Sequence, residues 1–556
     1  MRNPTLSAAL LLALMLGAAH AGTPPTPSAM AAYAEKLLDE QKLGRDSPGL
    51  TLLVARGDQL LYQGARGMAS IELGVPMKPE HMLRIGSVTK QFAAATLLKL
   101  IDEGKARFED PLSKYLPDYP NGAQITLLQL FNHTSGVKSY TSIPGYMGNP
   151  VRRDLDTAAL IKEFKDLTAD FAPGQSWAYN NSGYVLLGAV IEAISGKTWH
   201  QQLNDALLAP IKLSSGVRYQ AGDQLYKGMV QGYTTNGKGE VVPAGLISMT
   251  QPHAAGALIA NVESLWRWNQ ALHGGKLISS ASYQRMITPE GAAKPRNYGF
   301  GIVTNTLRGQ PVLMHGGGIH GFVSTLNYLP QGQVTVAMVR NTNGAGPNLD
   351  LLWRKLAAFA IGEPFPELKP VAVPAEQLKA AEGLFALDEK QTRVLRVRDG
   401  VLQSQRSGSG AFGLISLGED RFAFPDSLSY LTLERAADGK VVAMRVFNNG
   451  EGQGERWARS GDAPAERAAI TLTPAQIQAL VGEYSSPQFA IKIYVDDKGV
   501  LRTQAQGQSP VELKAATPRL MYLTVVDATL EFSAEEGAAQ SVTLNQGATK
   551  LVMKRK

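Results

Sequence analysis

The chain has 556 residues and no cysteine, and 44% of its residues are hydrophobic and 19% charged. This length predicts two to four domains, and the composition excludes an intrinsically disordered chain. The absence of cysteine excludes disulfides, iron–sulfur clusters and thiol nucleophiles. The net charge of +7 is a small excess for this length, and the one dense basic run, residues 554–556, is typical of a solvated tail. We therefore expect no nucleic-acid partner.

The first 21 residues have the pattern of a signal peptide. Arg2 supplies a positive start, residues 6–18 form an apolar stretch too short to span a bilayer comfortably, and Ala19-His20-Ala21 is an A-x-A cleavage site. The sequence therefore predicts a bacterial protein that is periplasmic or secreted, with no integral membrane segment after signal cleavage.

Residues 28–362 mix helix and strand patterns. In chain order, the predicted elements are a helix over 28–43, strands over 51–55 and 59–64, a helix over 87–104, further helices to about 275, strands over 311–314, 322–329 and 333–341, and a helix over 349–361. Strands therefore lie at both ends and helices in the middle. This arrangement predicts an α+β domain in which both ends build one antiparallel sheet around an inserted helical region.

Residues 363–373 are rich in proline and are predicted to be a linker. The sequence that follows repeats itself, because residues 374–385 resemble residues 474–484. Each copy has a short helical pattern, a glycine and then short alternating strands, and the two copies end on similar segments. We therefore predict two small antiparallel β-barrel or β-sandwich domains, at 374–463 and 471–556.

Ser87 and Lys90 form an S-x-x-K pattern at the start of a predicted amphipathic helix. Residues three apart share a helix face, so the lysine amine can lie beside the serine hydroxyl and take its proton. Burial lowers the pKa of a lysine enough for that role. Ser135 and Lys138 match the same pattern, but Gly136 follows the serine at once and no helical period continues. That second segment is predicted to be a turn.

Tyr179 and Asn181 form a Y-x-N pattern in a compact loop before an apolar helix. A phenol near a lysine can hold a proton in transit or exist as phenolate, and either form serves general acid–base catalysis. The amide of Asn181 can orient a lysine or a substrate carbonyl. Tyr119 and Asn121 repeat the pattern around a proline and are predicted to form a surface turn.

His315, Gly316 and Gly317 follow a predicted strand, and glycines let a substrate backbone lie close to such a strand. His315 can donate a hydrogen bond or carry charge at mildly acidic pH. The segment from His133 to Gly136 is predicted to be a buried, hydrogen-bonded turn. Eight scattered histidines without cysteine give no metal site.

These motifs resemble, in order and in context, the serine β-lactamase-related family. The family includes class C β-lactamases, D,D-peptidases, D-aminopeptidases and esterases. The resemblance covers residues 28–362, and the flanking segments 84–92, 130–136, 171–174 and 180–184 strengthen it. It implies a β-lactamase/transpeptidase-like sheet flanked by helices, with an all-helical subdomain, and no cofactor or metal.

The resemblance also implies a role for each motif residue. Ser87 would be the nucleophile that forms an acyl-enzyme, and Lys90 and Tyr179 would shuttle its proton. Asn181 would position Lys90 and the substrate. The oxyanion hole would consist of the backbone N–H groups of Ser87 and of Gly318, the residue just after the H-x-G motif.

One departure from the family pattern bears on the substrate. Many members carry K-[ST]-G at the third motif, where the lysine and hydroxyl hold a substrate carboxylate, and this chain has no K-[ST]-G. The resemblance therefore favours a D-aminopeptidase or D,D-peptidase type of amidase acting on a small peptide, amide or ester, with cell-wall fragments as possible ligands. A β-lactamase, a carboxylesterase or a penicillin-binding sensor that acylates without turnover remain alternatives. Some D-aminopeptidase relatives carry paired lipocalin-like barrels, as predicted here for the C-terminal repeats.

Overall fold

The structure, a computed structural model, describes residues 23–465, 467–486, 489–505, 508–533 and 537–556, so the predicted signal peptide lies outside the described residues. The chain divides into two compact units. One contains the residues up to Tyr233 together with Pro243–Pro364, and the other contains Thr234–Val242 and Phe365–Lys556. No helix in the described part of the chain is long and apolar enough to cross a membrane.

The segment before residue 364 holds ten α-helices and thirteen strands among its described residues. The helices α1 to α10 are Pro27–Glu40, Thr89–Asp102, Leu127–Phe131, Thr157–Lys162, Asn181–Ser195, Trp199–Leu203, His253–Gly256, Val262–His273, Ser280–Ile287 and Leu349–Ala360. The strands β1 to β13 are Leu50–Arg56, Gln59–Arg66, Met68–Ser70, Val75–Pro76, Leu83–Arg84, Val217–Tyr219, Tyr233–Thr235, Val241–Pro243, Leu258–Ala260, Val303–Leu307, Gln310–Ile319, Phe322–Leu329 and Val334–Arg340.

Six of these strands form one antiparallel sheet in the order β10-β11-β12-β13-β1-β2. The N-terminal strand β1 pairs with the C-terminal strand β13, for example Val54 with Val336. This confirms the α+β prediction of one sheet built from both ends of the segment. All but the last residue of β1 and of β13 are buried, because both strands are runs of apolar and β-branched residues that pack on both faces.

Strand β11 is longer than the sequence pattern predicts. The prediction ends it at residue 314, whereas the strand continues through His315 and the three glycines to Ile319 and pairs there with β12. Glycine has a low strand propensity, so the alternating pattern stops where the glycines begin although the pairing does not. The continuation brings the glycines alongside the turn that precedes α2.

Helix α2 lies in the interior of this unit, and its residues 89–98 are all buried. A helix that is buried on every face needs partners on every side. Phe92 stacks on Trp268 of α8 with ring centroids 3.9 Å apart, and α5 and α7 pack against other faces of α2. A lysine in the first turn of such a helix is therefore removed from water.

The C-terminal segment forms two small antiparallel barrels, as predicted. The helices α11 and α12 are Ala375–Ala380 and Pro474–Leu480. The strands β14 to β30 are Gly383–Ala386, Thr392–Arg398, Val401–Arg406, Ala411–Gly413, Ile415–Gly418, Arg421–Ala423, Tyr430–Arg435, Val441–Phe447, Glu455–Gly461, Gly482–Ser485, Ala490–Val495, Leu501–Ala505, Val511–Ala515, Leu520–Leu523, Ala528–Phe532, Ser541–Gln546 and Thr549–Arg555.

The two barrels differ in closure. Strands β14–β22 form a nine-stranded sheet whose edges are β17 and β18. These two edge strands follow one another directly in the chain, so the barrel is nearly closed. Strands β23–β30 form a closed barrel in which β23 pairs with β30. Each barrel has its own apolar core, around Phe385 and Trp457 in the first and around Tyr484 and Met553 in the second.

Candidate active site

Ser87 lies in a 3₁₀ turn, Gly86–Val88, immediately before α2. Gly86 has φ +50°, in the left-handed region that favours glycine. Lys90 follows one turn later and is completely buried, and its Nζ lies 3.2 Å from Ser87 Oγ. The structure thus brings the two residues of the S-x-x-K pattern into contact.

Two oxygens complete the surroundings of the Lys90 amine. Nζ donates to Oδ1 of Asn181 at 2.8 Å and to the carbonyl oxygen of Ala255 at 2.9 Å. Burial holds the pKa of Lys90 well below its usual range. Both oxygens can only accept, so they occupy both N–H bonds of a neutral amine. In the neutral amine that this lowered pKa favours, the lone pair is the remaining site on Nζ toward Ser87 Oγ, which lies 3.2 Å away.

Asn181, the first residue of α5, is held in one orientation by Ser139 and Thr141. Its Nδ2 donates to Oγ1 of Thr141 at 3.1 Å, and its backbone N–H donates to Oγ of Ser139 at 3.3 Å. The preceding Asn180 caps the helix by accepting from the N–H of Gly183 at 2.8 Å. Because the amide nitrogen is engaged with Thr141, the amide oxygen is the atom directed to Lys90.

Tyr179 lies beside the buried amine of Lys90, whose Nζ is 4.7 Å from its ring centroid. It is 38% exposed, so a substrate can reach it. Burial of the inner part raises the pKa of Tyr179 above its usual range, and the nearby hydroxyl of Ser87 opposes this only in part. At neutral pH the residue is a protonated phenol.

His315 is buried in β11 and both of its ring nitrogens are occupied. Nδ1 is 2.6 Å from the carbonyl oxygen of Gly316, and Nε2 is 2.9 Å from the hydroxyl of Tyr298. Since a carbonyl only accepts, Nδ1 carries the proton and Nε2 accepts from the tyrosine. Burial, with Lys90 nearby, lowers the pKa of His315 to about 4. In this structure the neutral ring of His315 is engaged by Gly316 and Tyr298, and its role toward a substrate stays a prediction.

The glycines after His315 allow β11 to approach the nucleophile turn. A Cβ on Gly317 would overlap the carbonyl oxygen of Ile85 and Oγ of Ser324, so only glycine fits there. The backbone nitrogen of Gly318 lies 2.9 Å from the position of a Cβ on Gly86, and Gly318 is exposed. The backbone nitrogen of Gly318 thus lies close to the turn that carries Ser87, at an exposed position.

Several residues around the nucleophile lie outside all three sequence motifs. Ala255 contributes a backbone oxygen, which leaves no trace in side-chain chemistry. Tyr298 lies 17 residues before its partner His315. The segment from His133 is, as predicted, a buried turn, with the N–H of Gly174 donating to Thr134 O at 2.8 Å.

The second S-x-x-K segment is not a catalytic pair in the structure. Ser135 is buried in the same turn, and its Oγ accepts from the N–H of Val137. Lys138 instead pairs with Asp170, with Nζ 2.6 Å from Oδ1. The pattern occurs here without the helix that would bring serine and lysine together, as the sequence predicts.

Comparisons with known proteins agree with this geometry. The Beta-lactamase family model matches residues 30–360. The putative penicillin-binding protein PbpX of Bacillus subtilis is 28% identical over 291 residues, which are 52% of this chain and 70% of that protein. A D-aminopeptidase of Brucella melitensis is 25% identical over 412 residues, which are 72% of this chain and 75% of that protein.

Among solved structures, a D-stereospecific amidohydrolase from Streptomyces sp. is similar, with a TM-score of 0.51 and 26% identity; the match covers 60% of this chain and 98% of that one. The family match extends over more than half of the chain and includes every motif residue from Ser87 to Gly318. The chain therefore belongs to the beta-lactamase family, and it is a serine hydrolase of the beta-lactamase fold related to D-aminopeptidases.

Proposed function

We propose that this protein cleaves an amide bond next to a D-amino acid, as a D-aminopeptidase or D-amino acid amidase does, through an acyl-enzyme on Ser87. The observation that carries the proposal is the environment of Lys90. Its amine is buried beside Ser87, and two oxygens that can only accept occupy its N–H bonds. This arrangement supports a neutral base already aimed at the nucleophile.

Acylation follows from these contacts. Lys90 takes the proton of Ser87, and Ser87 Oγ bonds to the substrate carbonyl carbon. The carbonyl oxygen becomes an oxyanion, and in this proposal the backbone N–H groups of Ser87 and Gly318 stabilise it. The sequence alone allows Tyr179 to act as a neutral phenol or as a phenolate. Its raised pKa favours the neutral phenol.

Tyr179 is the group that protonates the leaving nitrogen in this proposal. The C–N bond breaks as the phenol gives its proton to that nitrogen. The proton held on Lys90, whose Nζ lies 4.7 Å from the Tyr179 ring centroid, then passes to the phenolate oxygen and restores both the phenol and the neutral amine. Deacylation reverses these transfers with water as the nucleophile. Water loses a proton, its oxygen bonds to the acyl carbon, and Ser87 Oγ leaves with a proton.

The third motif bears on the substrate. His315 is neutral and has both ring nitrogens engaged, so it offers no cation to a substrate carboxylate. This supports amides and peptides that do not need a free carboxylate at that position. The kinship with a D-aminopeptidase and a D-stereospecific amidohydrolase supports the same class. We name β-lactams and carboxylic esters as alternative substrates of the same machinery.

A second candidate function is acylation without turnover, as in a penicillin-binding sensor. The match to a putative penicillin-binding protein favours this alternative. It uses the same Ser87, Lys90 and Tyr179, and differs only in the rate of deacylation. Burst kinetics separate the two functions, because a sensor releases one equivalent of leaving group and then stops.

In this proposal each remaining part of the chain has its own role. Residues 1–21 direct export to the periplasm or the medium, residues 28–362 form the catalytic domain, and residues 363–373 form a linker. The barrels at 374–463 and 471–556 are of lipocalin-like type. Peptides and cell-wall fragments are the partners that this location would supply.

The proposal is tested with Ser87→Ala against a panel of D-aminoacyl amides, D-Ala-D-Ala peptides, p-nitrophenyl esters and nitrocefin. We expect the wild type to show its highest kcat/KM on a D-aminoacyl amide, and S87A to lose at least about 10⁴-fold of that value. A fluorophosphonate probe should label the wild type and not S87A.

The matched control is Ser135→Ala, which removes the serine of the second S-x-x-K segment. This variant should keep both labelling and turnover. Equal labelling of wild type and S87A would falsify the nucleophile. A burst without steady-state turnover on every substrate would move the function to the sensor alternative.

A further inference from the structure

We propose that His133 is a positioning residue for Tyr179, an inference that rests on the proposed function. His133 holds the backbone on both sides of that tyrosine. Its carbonyl oxygen accepts from the N–H of Ala178 at 3.2 Å, and its ring Nδ1 accepts from the N–H of Asn180 at 3.2 Å. The two residues that flank the phenol are thus bonded to the same histidine.

His133 is itself fixed in an uncommon conformation. Its φ is +64°, in the left-handed region, and only 1% of its surface is exposed. A left-handed conformation is unfavourable for a residue other than glycine and persists where its surroundings determine it. The conformation lets the carbonyl and the side chain of one residue reach the same neighbouring segment.

The ring of His133 also contacts the phenol directly. Its centroid is 4.6 Å from that of Tyr179 and 4.5 Å from that of Tyr298, the partner of His315. Trp177 and Tyr184 lie at 6.0 and 5.3 Å. The imidazole thus supports the inner face of Tyr179 as well as its backbone.

The hydrogen bonding of the imidazole favours this role over that of a simple turn residue. Because Nδ1 accepts, the neutral ring carries its proton on Nε2. Within the described part of the chain this Nε2 is buried without a hydrogen-bond partner, and aromatic rings surround it. An unpaired buried polar atom destabilises the fold, and a contact with a nearby aromatic face offsets only part of that loss. A turn with no further role would be more stable with a residue that lacks this buried, unpaired nitrogen.

Nδ1 of His133 can accept the hydrogen bond from Asn180 only while the imidazole is neutral. Burial holds the pKa of His133 well below its usual range, so Nδ1 remains an acceptor at neutral pH. The consequence for catalysis is geometric. The hydroxyl of Tyr179 must meet both Ser87 Oγ and the leaving group, and a displacement of about 1 Å at such a group costs roughly 10²-fold in rate.

Two substitutions separate the acceptor from the ring. In His133→Asn the Oδ1 atom is the same number of bonds from Cα as Nδ1, and asparagine tolerates the left-handed region. In His133→Phe the ring is kept and the acceptor is lost. We expect H133F to lower kcat by roughly 10- to 100-fold with KM changed by less than about 3-fold, and H133N to stay within about 5-fold of the wild type.

The decisive measurement is a double-mutant cycle with Tyr179→Phe. If His133 acts by positioning the phenol, H133F adds no further loss of kcat in the Y179F background. The matched control is His273→Phe, because His273 also stacks on a tyrosine, at 4.2 Å from Tyr328, and contacts the hydroxyl of Tyr283. H273F should lower Tm and leave kcat unchanged.

The outcomes distinguish the inference from the function on which it rests. Loss of turnover in S87A and Y179F, together with an H133F that lowers only Tm as H273F does, would overturn the role of His133 and keep the proposed function. Additive losses in the cycle would also overturn it. If H133F does not fold, His133→Gln replaces it, because its amide oxygen lies one bond too far; equal kcat for H133Q and H133N would contradict the inference.

Discussion

The catalytic segment and the C-terminal barrels bury different kinds of side chain. In the catalytic segment the buried polar groups include Lys90, His133 and His315, all within contact of the nucleophile or its neighbours. Among the described residues of the barrels, the buried polar side chains are Ser404, Thr503 and Thr529. All eight histidines of the chain precede residue 321, so the barrels contain none.

This difference shows where stability is given up for chemistry. A buried amine or imidazole without a carboxylate partner destabilises a fold and is retained where a reaction needs its altered pKa. The barrels have no such groups among their described residues and rest on apolar cores. Substitutions of the buried polar groups around Ser87 should therefore change the rate, whereas substitutions of the buried polar groups of the barrels should change only the stability.

The largest expected effect comes from Lys90→Met, which replaces the buried amine with an apolar chain of similar length. We expect kcat/KM on the best substrate of the panel to fall by roughly 10²- to 10⁴-fold, because the base for Ser87 is lost. We expect Tm to change little, since the variant no longer buries an amine. Lys138→Met, at the lysine that pairs with Asp170, is the control and should keep its rate. Full kcat in K90M would remove Lys90 from the mechanism.

The second effect is a difference in acid stability between the two segments. His315 has a pKa of about 4 when folded and an ordinary value of 6.5, so the unfolded chain binds the proton first. Stability is therefore present at neutral pH and is lost as pH falls from about 6.5 towards 4. From pH 7 to pH 5 the loss from His315 alone is about 2 kcal/mol.

Hydrogen exchange on the full chain can resolve that difference by segment. Peptides from α2 and α5 should lose protection between pH 7 and pH 5, after correction for intrinsic exchange, whereas peptides from β23–β30 should not. His315→Gln should reduce the pH dependence in the catalytic segment by about 2 kcal/mol. An equal loss in both segments would show that histidine burial is not its cause.

The sequence predicts those features that depend on local pattern. The two-ended sheet follows from the apolar strands around Val54 and Val336, and the proximity of Ser87 and Lys90 follows from a spacing of three on a helix. The repeat in the C-terminal segment predicts two barrels because each copy begins with a helix and a glycine.

Other features depend on contacts between residues far apart in the chain. The carbonyl of Ala255 reaches Lys90 across 165 positions and has no side-chain signature. The neutrality of His315 depends on its burial and on Tyr298, neither of which its own motif specifies. The two hydrogen bonds by which His133 holds the backbone on either side of Tyr179 join residues more than forty positions apart. The local sequence around His133 therefore shows only a turn.

The smallest expected effect lies at a position that the two barrels share. Phe385 in the first strand of the first barrel corresponds to Tyr484 in the first strand of the second. An arginine from the last strand of each barrel, Arg459 or Arg555, lies 5.9 Å from the corresponding ring centroid. The matched positions differ by one hydroxyl, which in Tyr484 donates to the carbonyl oxygen of Leu480 at 2.9 Å.

Tyr484→Phe should make the second barrel resemble the first at this position and remove one buried hydrogen bond. We expect a loss of about 1 kcal/mol, seen as a roughly 5-fold decrease in the exchange protection of β23–β30 with kcat unchanged. Tyr494→Phe is the control, because Tyr494 is only half-buried in β24 and no hydrogen bond of its hydroxyl appears among the described residues. Unchanged protection in Y484F would mean that ring packing, common to both barrels, carries the stability at this position and that the hydroxyl adds nothing.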